Sequence, residues 1–536
     1  MTGLFKKAHG SLPGPWRFLI PEDIPVSENR IERVLILGGG SAGLMAAVTL
    51  KRKLPQLDVE VVRSPELGII GVGEGTTAAF PRHFFEYLKL DPARFYAMAE
   101  PTWKLGIRFK WGARDFDYTF AREYEKRWPE LQRNLGFYHD QATPWMGIVS
   151  ACMAHGKAFP RKPDGTPHFH NNHAFHIENV KLVGWLEAMC REENVTITDG
   201  TMERAAVVNG RVTSLELKDG RQLSADLFVD ASGFRSELLG RALGVPFVDY
   251  SGSLFCDRAV IAGWPRRADE PILPYTVAET MDAGWCWQIE HEKWINRGYV
   301  YSSRFISDED ALAEFRRKNP GLASEPRLVK FRSGRYQSLW QGNVVAIGNA
   351  AGFVEPLEAT ALQVICVEAS TLADSLVDSL QEPTPTIIEL YNEFNTSGWD
   401  DIRDFLAAHY AFNQRLDTPF WRACRSDTDL AGAARIVRYF QENGPSVLPG
   451  PVLIHPANSF GIDGYLTILV GQQVPHGKPY TPTAAEQAVW KERIDGYGQH
   501  ARRGLSVEES LAIVRASGIK APLPPPARPL AAPRAS

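Results

Sequence analysis

The chain has 536 residues, of which 44% are hydrophobic and 23% are charged, a composition typical of a globular protein large enough for more than one lobe. The formal net charge of −4 at pH 7 gives no electrostatic basis for binding nucleic acid or an anionic membrane. Six cysteines without a C-x-x-C pair argue against a disulfide framework and a cysteine-based zinc site. Charges and prolines interrupt any signal-peptide core, and glycines break the one long uncharged run, so we expect a soluble, cytoplasmic protein.

The first predicted elements form a βαβ unit. Residues 1–30 are irregular in pattern, and residues 34–37 then read as a buried strand. Glycine-rich residues 38–43 follow, then a helical pattern over 44–54 and a second strand over 59–62. This order predicts an α/β fold with a parallel sheet that carries helices on its faces.

The rest of the chain changes character twice. Residues 205–220 predict hairpins around Asn209-Gly210 and Asp219-Gly220, and residues 227–233 return to a buried strand that ends in small residues. Residues 254–303 are β-rich and aromatic, which predicts a second sheet. From 362 to about 442 the pattern is helical, with a break at 382–385, and the Pro/Ala-rich end predicts a disordered tail.

The glycine turn of the βαβ unit satisfies G-x-G-x-x-G with Gly38, Gly40 and Gly43. Such a turn, placed after a strand and at the start of a helix, lets a pyrophosphate approach the helix N-terminus, where Ser41 and Ala42 lie. The acid expected at the end of the second strand is replaced by Arg63. Either Glu66 reaches back to the ribose or the adenosine end is held differently, and an arginine there would also suit a ribose phosphate, as in NADP.

A second turn of small residues follows the apolar run 344–347. Residues 348–352 let the backbone approach a ligand closely, and Glu355 and Glu358 flank Pro356 just before a helix. Carboxylates at a strand end beside a helix start are well placed to act on a bound cofactor.

Together these segments resemble the flavin-dependent tryptophan halogenase family. The resemblance rests on the glycine motif, the opening segment and five further stretches, and it runs in order from about Arg33 to at least Gln472. These stretches are Gly71-Val72-Gly73-Glu74-Gly75-Thr76-Thr77, residues 225–235, residues 284–289, residues 298–303 and residues 417–422.

The resemblance implies FAD, supplied in reduced form by a separate flavin reductase, that activates dioxygen. In halogenases, chloride or bromide is converted to hypohalous acid, which passes through a tunnel to an aromatic substrate where a lysine and a glutamate act. The implied fold is a flavin-monooxygenase-like box with a helical substrate lobe, and a homodimer is one of the oligomeric states left open. The expected divisions are an irregular segment (1–30), an FAD-binding box with an inserted β-rich sheet (31–361), a helical lobe (362–519) and a disordered tail (520–536).

Site residues follow from the same resemblance. Glu358 matches the family's catalytic glutamate. The residues expected on the substrate or tunnel side are Trp285, Trp287, Glu290 and Phe353. Those expected to bind the cofactor are Gly38, Gly40, Ser41, Ala42, Gly43, Arg63, Glu74, Gly75, Thr76, Asp230, Gly348, Asn349, Pro356 and Leu357.

Three positions depart from the family pattern. Arg82 stands where the catalytic lysine is expected, Glu290 where a proline is expected, and Ala359 where a serine is common. Arginine stays protonated and is not a nucleophile, although it could orient an oxyanion or carboxylate. The nearest other lysine is Lys104, for which a structural or surface role is expected.

Four histidines, His168, His170, His173 and His176, lie close together in sequence. Their spacing could suit a metal, but no carboxylate or thiol accompanies them, so we expect a structural group and no metal site.

Three functions are compatible with the residues. The first is an FAD-dependent, monooxygenase-like enzyme acting on an aromatic or indole-type substrate, free or in a peptide. In it the activated flavin itself delivers the oxidant, Glu358 is an acid or base, and Arg82 or His83 positions substrate. The second is a halogenase in which Lys104 takes the lysine's role or hypohalous acid is delivered directly. The third is a flavin-binding scaffold without turnover.

Overall fold

The computed structural model describes residues 30–68, 73–121, 130–131, 146–170, 172–455 and 458–517. The predicted N-terminal irregular segment, Gly71 and Val72, and the predicted tail therefore lie outside the described residues. Among the described residues no helix has the length and apolar character needed to cross a membrane.

The described strands number 22 and are short, as the frequent turns in the sequence predict. In chain order they are β1 Arg33–Leu37, β2 Asp58–Arg63, β3 Glu74–Gly75, β4 Thr102–Lys104, β5 Gly106–Lys110, β6 Phe116–Thr119, β7 Ala174–Ile177, β8 Thr196–Asp199, β9 Met202–Val208, β10 Arg211–Leu217, β11 Gln222–Leu223, β12 Leu227–Asp230, β13 Phe247–Asp249, β14 Arg258–Pro265, β15 Thr276–Met281, β16 Gly284–Glu290, β17 Trp294–Tyr301, β18 Arg327–Lys330, β19 Gly334–Tyr336, β20 Trp340–Gln341, β21 Val344–Ala346 and β22 Gly352–Phe353.

The helices concentrate in the C-terminal third. The described α-helices are α1 Ser41–Lys53, α2 Ala79–Pro81, α3 Pro92–Ala99, α4 Ile148–Ala154, α5 Asn179–Glu192, α6 Asp308–Lys318, α7 Ala361–Asp378, α8 Pro385–Tyr410, α9 Pro419–Asp427, α10 Ala434–Asn443, α11 Gly450–Leu453, α12 Gly461–Gly471, α13 Ala484–Arg502 and α14 Val507–Ser517. Wider π-helical turns span Arg82–Tyr87 and Glu237–Ala242, and 3₁₀ turns span Gly233–Arg235, Gly348–Ala350, Pro356–Glu358 and Ala431–Ala433.

The predicted βαβ unit is confirmed. Strands β1 and β2 pair in parallel, and the first sheet has the order β20-β21-β12-β1-β2-β8. Four of the five β1 residues are buried, because helices cover both faces of a parallel sheet. The carboxyl ends of β1, β12 and β21 lie side by side, so the turns that follow them meet at one edge of the sheet.

The predicted second sheet is also confirmed. It has the order β18-β14-β17-β16-β15-β5-β6 and is antiparallel except where β15 pairs with β5. Strand β16 is buried along six of its seven residues. The predicted hairpins are strands β9, β10 and β11.

A small sheet, β3-β7-β4, links these layers. In this sheet His176 of β7 pairs with Gly75 of β3 on one side and with Thr102 of β4 on the other. Since side chains alternate along a strand, Lys104 points to the same face as Thr102. The direction of the Lys104 side chain determines where its amine lies in the candidate active site.

Candidate active site

The glycine turn after β1 has the shape that a phosphate-binding turn requires. Gly38 has φ +126°, and a Cβ at Gly43 would lie 1.8 Å from the carbonyl oxygen of Gly38, so neither position accepts a side chain. At Gly40, by contrast, a Cβ would meet no atom within 4 Å. The first turn of α1 therefore opens onto free space, with its N–H groups and the positive end of the helix dipole directed there.

Two residues expected to touch the cofactor, Ser41 and Arg63, are bound to protein groups. The Ser41 hydroxyl donates to Asn179 Oδ1 at 2.7 Å, and Arg63 donates to Asp199 and Glu187 at 2.6 and 2.5 Å. Because two carboxylates already neutralise Arg63, it is a poor candidate for binding a ribose phosphate.

Asp230 ends β12 and caps the turn that follows. Its two oxygens accept hydrogen bonds from Ser232 and from the backbone N–H groups of Leu238 and Leu239, although burial raises its pKa. Asp230 therefore fixes the conformation of the backbone that follows β12 by accepting these hydrogen bonds.

The second glycine turn lies beside the first at the same sheet edge. A Cβ at Gly348 would come within 3.0 Å of the Ala42 side chain, which brings the turn after β21 against the start of α1. The Gly348 N–H donates to Glu368 Oε2 at 2.7 Å, and Trp399 Nε1 donates to Oε1 at 3.0 Å. A buried carboxyl group on α7 thus holds this turn in place, and burial raises its pKa to about 8.

Phe353 and Asn349 line an open cavity of about 300 Å³ beside this turn. The cavity is mostly aromatic, and its walls include Phe234, Phe247, Phe331 and Tyr336. Pro356 and Leu357 lie in the next turn, where Leu357 is buried. Phe353 therefore belongs to the surface side of the turn rather than to the interior path that contains Trp285 and Trp287.

Glu74, Gly75 and Thr76 connect the nucleotide half to β7. The Thr76 hydroxyl accepts a hydrogen bond from the Phe175 N–H at 2.8 Å, and burial raises the pKa of Glu74 to about 7. Gly75 has a packing role: a Cβ there would lie 3.3 Å from both Lys104 Nζ and the Cβ of Ala359.

Glu358 ends the turn Pro356–Glu358 and is 2% exposed. Ala359, which follows it, has φ +56°, an unfavourable conformation for alanine that turns the chain sharply into α7. Glu358 Oε1 lies 2.8 Å from Nε2 of His409, on α8. Burial raises the pKa of Glu358, while His409 and Lys104 act in the opposite direction.

Lys104 is the cation that acts on Glu358. Its side chain is fully buried at the end of β4, and its amine has no hydrogen-bond partner among the described residues. Burial lowers the pKa of Lys104 to about 7, and the nearby charge of Glu358 opposes that shift. Of the structural or surface role expected for Lys104, only the surface position is excluded, because the side chain lies in the interior, near enough to Glu358 to lower its pKa.

Arg82 and His83 lie elsewhere. Arg82 is exposed on the π-helical turn, and its charge acts on Glu86 rather than on Glu358. His83 is buried against α1, where its Nε2 lies 2.9 Å from the Thr49 hydroxyl, and burial lowers its pKa to about 4. The expectation that Glu358 faces Arg82 is thus corrected. Arg82 lies eight residues beyond Glu74, but this position falls on the exposed side of a helical turn.

A second buried carboxyl group, Glu355, lies three residues before Glu358. Glu355 Oε2 accepts hydrogen bonds from Trp285 Nε1 at 2.9 Å and from the Tyr410 hydroxyl at 2.5 Å. Burial raises the pKa of Glu355 to about 7. Trp287 is 5% exposed and packs over Gly298, where a Cβ would fall 2.2 Å from its ring. Both tryptophans are therefore buried and held by contacts within the protein.

Glu290 forms a buried ion pair with Arg266 in place of the expected proline. Their side chains are 1% and 6% exposed, and Gln288 Nε2 donates to Glu290 Oε1 at 2.6 Å. The departure from the family pattern at this position is thus a structural substitution that stabilises the end of β16.

The predicted histidine group divides in two. His173 Nδ1 lies 2.6 Å from the carbonyl oxygen of His170, and burial lowers the pKa of His170 to about 3. His176 Nε2 lies 2.8 Å from the Thr276 hydroxyl, close enough to Lys104 for the two charges to interact. No group of three potential metal ligands is found in the part of the chain that the structure describes.

Sequence reasoning missed His409, Tyr410 and Trp111. Trp111 donates to the His409 carbonyl oxygen at 2.7 Å and packs edge-on against Tyr410, with ring centroids 5.7 Å apart. The signal available was the pair His409-Tyr410 at the end of an amphipathic helix, but nothing in its spacing indicated which glutamate it would meet.

Two glycine turns at one edge of a parallel sheet, with buried acids and an amine beyond them, define a dinucleotide-dependent oxidoreductase site. A family model described as "Tryptophan halogenase" matches residues 33–488. The chain belongs to the tryptophan halogenase family and is a flavin-dependent enzyme of that family.

Similar proteins cover most of the chain. Tryptophan 7-halogenase KtzQ of Kutzneria sp. (strain 744) is 33% identical over 454 residues, 79% of this chain and 84% of the relative. Tryptophan 7-halogenase RebH of Lentzea aerocolonigenes is 32% identical over 421 residues, with 74% and 79% covered. Among solved structures, "MibH, a lathipeptide tryptophan 5-halogenase" has a TM-score of 0.83 and 36% identity, covering 93% of this chain and 95% of its own. BrvH, a flavin-dependent halogenase from Brevundimonas sp. BAL3, has a TM-score of 0.80 and 28% identity, covering 90% and 99%.

The residues present fit FAD. The space at Gly40 suits a pyrophosphate, and the turn from Gly348 to Gly352 lies beside it, packed against the start of α1 at Ala42. When bound, reduced FAD supplies the electrons that activate dioxygen. The chain's own residues then determine what the resulting oxidant meets.

Proposed function

We propose that the enzyme halogenates an aromatic carbon of an indole-type substrate, with Lys104 holding the electrophilic halogen and Glu358 accepting the ring proton. The observation that carries this proposal is the buried, unbonded amine of Lys104 beside Glu358. An amine whose pKa is about 7 is partly neutral at neutral pH and is therefore nucleophilic toward hypohalous acid. The monooxygenase-like function, the first of the three considered, makes no use of such a lysine, so the buried amine favours halogenation over it.

The substitution step balances without a further reactant. An electron pair of the aromatic ring forms the bond from carbon to halogen, while the bond between the halogen and Lys104 Nζ breaks and leaves its electron pair on the nitrogen. The C–H bond of that carbon then breaks, and its electron pair returns to the ring. The proton passes to Glu358. Burial raises the pKa of this carboxyl group and the contact with His409 holds it in position, so it can act as an acid–base group. Chloride or bromide supplies the halogen, and a separate flavin reductase supplies reduced FAD.

The substrate is an indole, free or within a peptide. Support for a peptide comes from the 36% identical structural relative MibH, a lathipeptide tryptophan 5-halogenase. We further propose that the enzyme works in the cytoplasm and that a homodimer is its assembled form.

Mass spectrometry of the products tests the reaction type. The purified enzyme is supplied with reduced FAD, oxygen and bromide, together with free tryptophan, indole or a tryptophan-containing peptide. A bromine isotope pattern that requires bromide supports halogenation. A mass gain of one oxygen, unchanged when bromide is omitted, contradicts it. Oxidation of reduced FAD with release of hydrogen peroxide and neither product would support a flavin-binding scaffold without turnover.

A further inference from the structure

The contact between His409 and Glu358 requires a proton of its own. His409 Nδ1 lies 2.9 Å from the carbonyl oxygen of Phe405, one turn earlier on α8. A carbonyl oxygen only accepts hydrogen bonds, so Nδ1 carries the hydrogen. Nε2 lies 2.8 Å from Glu358 Oε1, and two bare acceptors at that distance would repel each other. One further proton therefore lies between the imidazole and the carboxyl group.

The surroundings isolate this proton from solvent. The two side chains are 0% and 1% exposed, and the His409 ring lies against Phe109 and Phe405, with centroids 5.1 and 4.9 Å away. The charged groups that face the pair are Lys104 from β4, which lowers the pKa of Glu358, and Glu355, whose own pKa is lowered by His409. An apolar enclosure of this kind strengthens a charge-assisted hydrogen bond and leaves water no role in it.

We infer that His409 is a positioning residue that holds Glu358 in place through one shared proton, with its own tautomer fixed by the Phe405 carbonyl. This inference rests on the proposed function of Glu358 as the acceptor of the ring proton. Glu358 can accept a proton from the ring only when the shared proton lies on Nε2 of His409. The proton released from the ring then adds to Glu358.

Nitrogen-15 NMR of histidine in the flavin-free protein tests the geometry without any turnover. His409 is assigned by the signals lost in His409→Gln. His500 is a matched reference, because its Nδ1 contacts the Gly496 carbonyl oxygen at 2.8 Å in the same i−4 arrangement on an exposed helix. We expect Nε2 of His409 to show a protonated or shared-proton shift that becomes that of a bare acceptor in Glu358→Gln, where an amide N–H takes the proton's place. An identical Nε2 shift in both proteins would overturn the inference.

The pH dependence of bromination tests the effect of His409 on the ionisation of Glu358. In His409→Gln a neutral amide replaces the imidazole as donor, so the buried Glu358 loses a group that lowers its pKa and needs a higher pH to ionise. The acid limb of the kcat/KM profile should move to higher pH, with a loss of roughly 10²-fold near neutrality, as for a displaced general base. His500→Gln serves as the control and should leave the profile in place.

The two proposals fail separately. If wild-type enzyme makes no brominated product, the proposed function fails while the NMR result still decides the shared proton. If His409→Gln brominates with an unmoved acid limb, His409 is not a positioning residue for Glu358, although halogenation stands. If His409→Gln does not fold, as judged by thermal unfolding, the comparison of wild type with Glu358→Gln decides the matter.

Discussion

Gly75 lies directly beneath Lys104: a Cβ at Gly75 would be 3.3 Å from the lysine amine and 3.3 Å from the Cβ of Ala359. The sheet β3-β7-β4 and the turn that carries Glu358 approach each other at this point. The absence of a side chain at Gly75, and the small one at Ala359, leave the room that the buried amine occupies. The alanine that replaces the family's serine is therefore part of the same packing arrangement.

Gly75→Ala should lower bromination without unfolding the protein. A contact at 3.3 Å is slightly too close, so the new methyl group displaces the Lys104 amine by a few tenths of an ångström. Displacing a reacting group by that much lowers the rate of product formation by roughly tenfold. Gly184→Ala, where a Cβ meets no atom within 4 Å, is the control for the change of residue type. Equal rates in wild type and Gly75→Ala would show that the amine does not react.

Gly40→Ala should weaken FAD binding and leave stability unchanged. Its φ of −83° suits alanine, and the added methyl meets no protein atom, so thermal unfolding of the flavin-free protein should not move. The methyl would occupy the space that a pyrophosphate needs, and we expect at least a tenfold rise in the Kd for FAD, about 1.4 kcal/mol. Fluorescence titration with FAD measures this, and an unaltered Kd would place the pyrophosphate elsewhere.

Bromination should accelerate as the pH rises through about 7. Lys104 has its pKa lowered to about 7 by burial, so the neutral amine becomes the major form above that value and is depleted about tenfold per pH unit below it. Glu358, whose pKa is raised by burial, ionises in the same direction. Single-turnover rates with preformed reduced FAD remove the reductase from the measurement. A rate that falls between pH 6 and 8 would mean that the ammonium form acts.

Arg266→Met should destabilise the fold strongly because it leaves Glu290 buried without its partner. Breaking a buried ion pair costs about 3–5 kcal/mol of the free energy of unfolding. The double variant Arg266→Met/Glu290→Met removes both charges and should recover most of that loss. Urea unfolding of the three proteins measures the difference. Asp495→Asn, which breaks the exposed pair with Lys491, should cost less than about 1 kcal/mol.

The fold was largely predictable because local patterns specify it. The βαβ unit, the hairpins around Asn209-Gly210 and the helical break before Pro385 all depend on short-range rules, and the structure confirms each of them. Glycines that must approach a phosphate are also visible in sequence, because no other residue fits there.

The pairing of acid and amine was not predictable in this way. Lys104 and Glu358 lie 254 positions apart, and they come together only because β4 pairs with β7 while the turn after β22 packs against β3. A fixed offset from Glu74 selected Arg82, whose side chain points outward from a π-helical turn. His409 was missed for the same reason, since its importance depends on the tertiary contact with Glu358.

The central claim is that Lys104, and not Arg82, works with Glu358 on the substrate. Bromination by Lys104→Met and Arg82→Met, measured side by side with Lys110→Met as the control lysine on the next strand, tests it most directly. We predict that Lys104→Met loses bromination by roughly 10³-fold or more while still binding FAD, and that Arg82→Met and Lys110→Met stay within about threefold of wild type. Loss of bromination in Arg82→Met together with its retention in Lys104→Met would contradict the account.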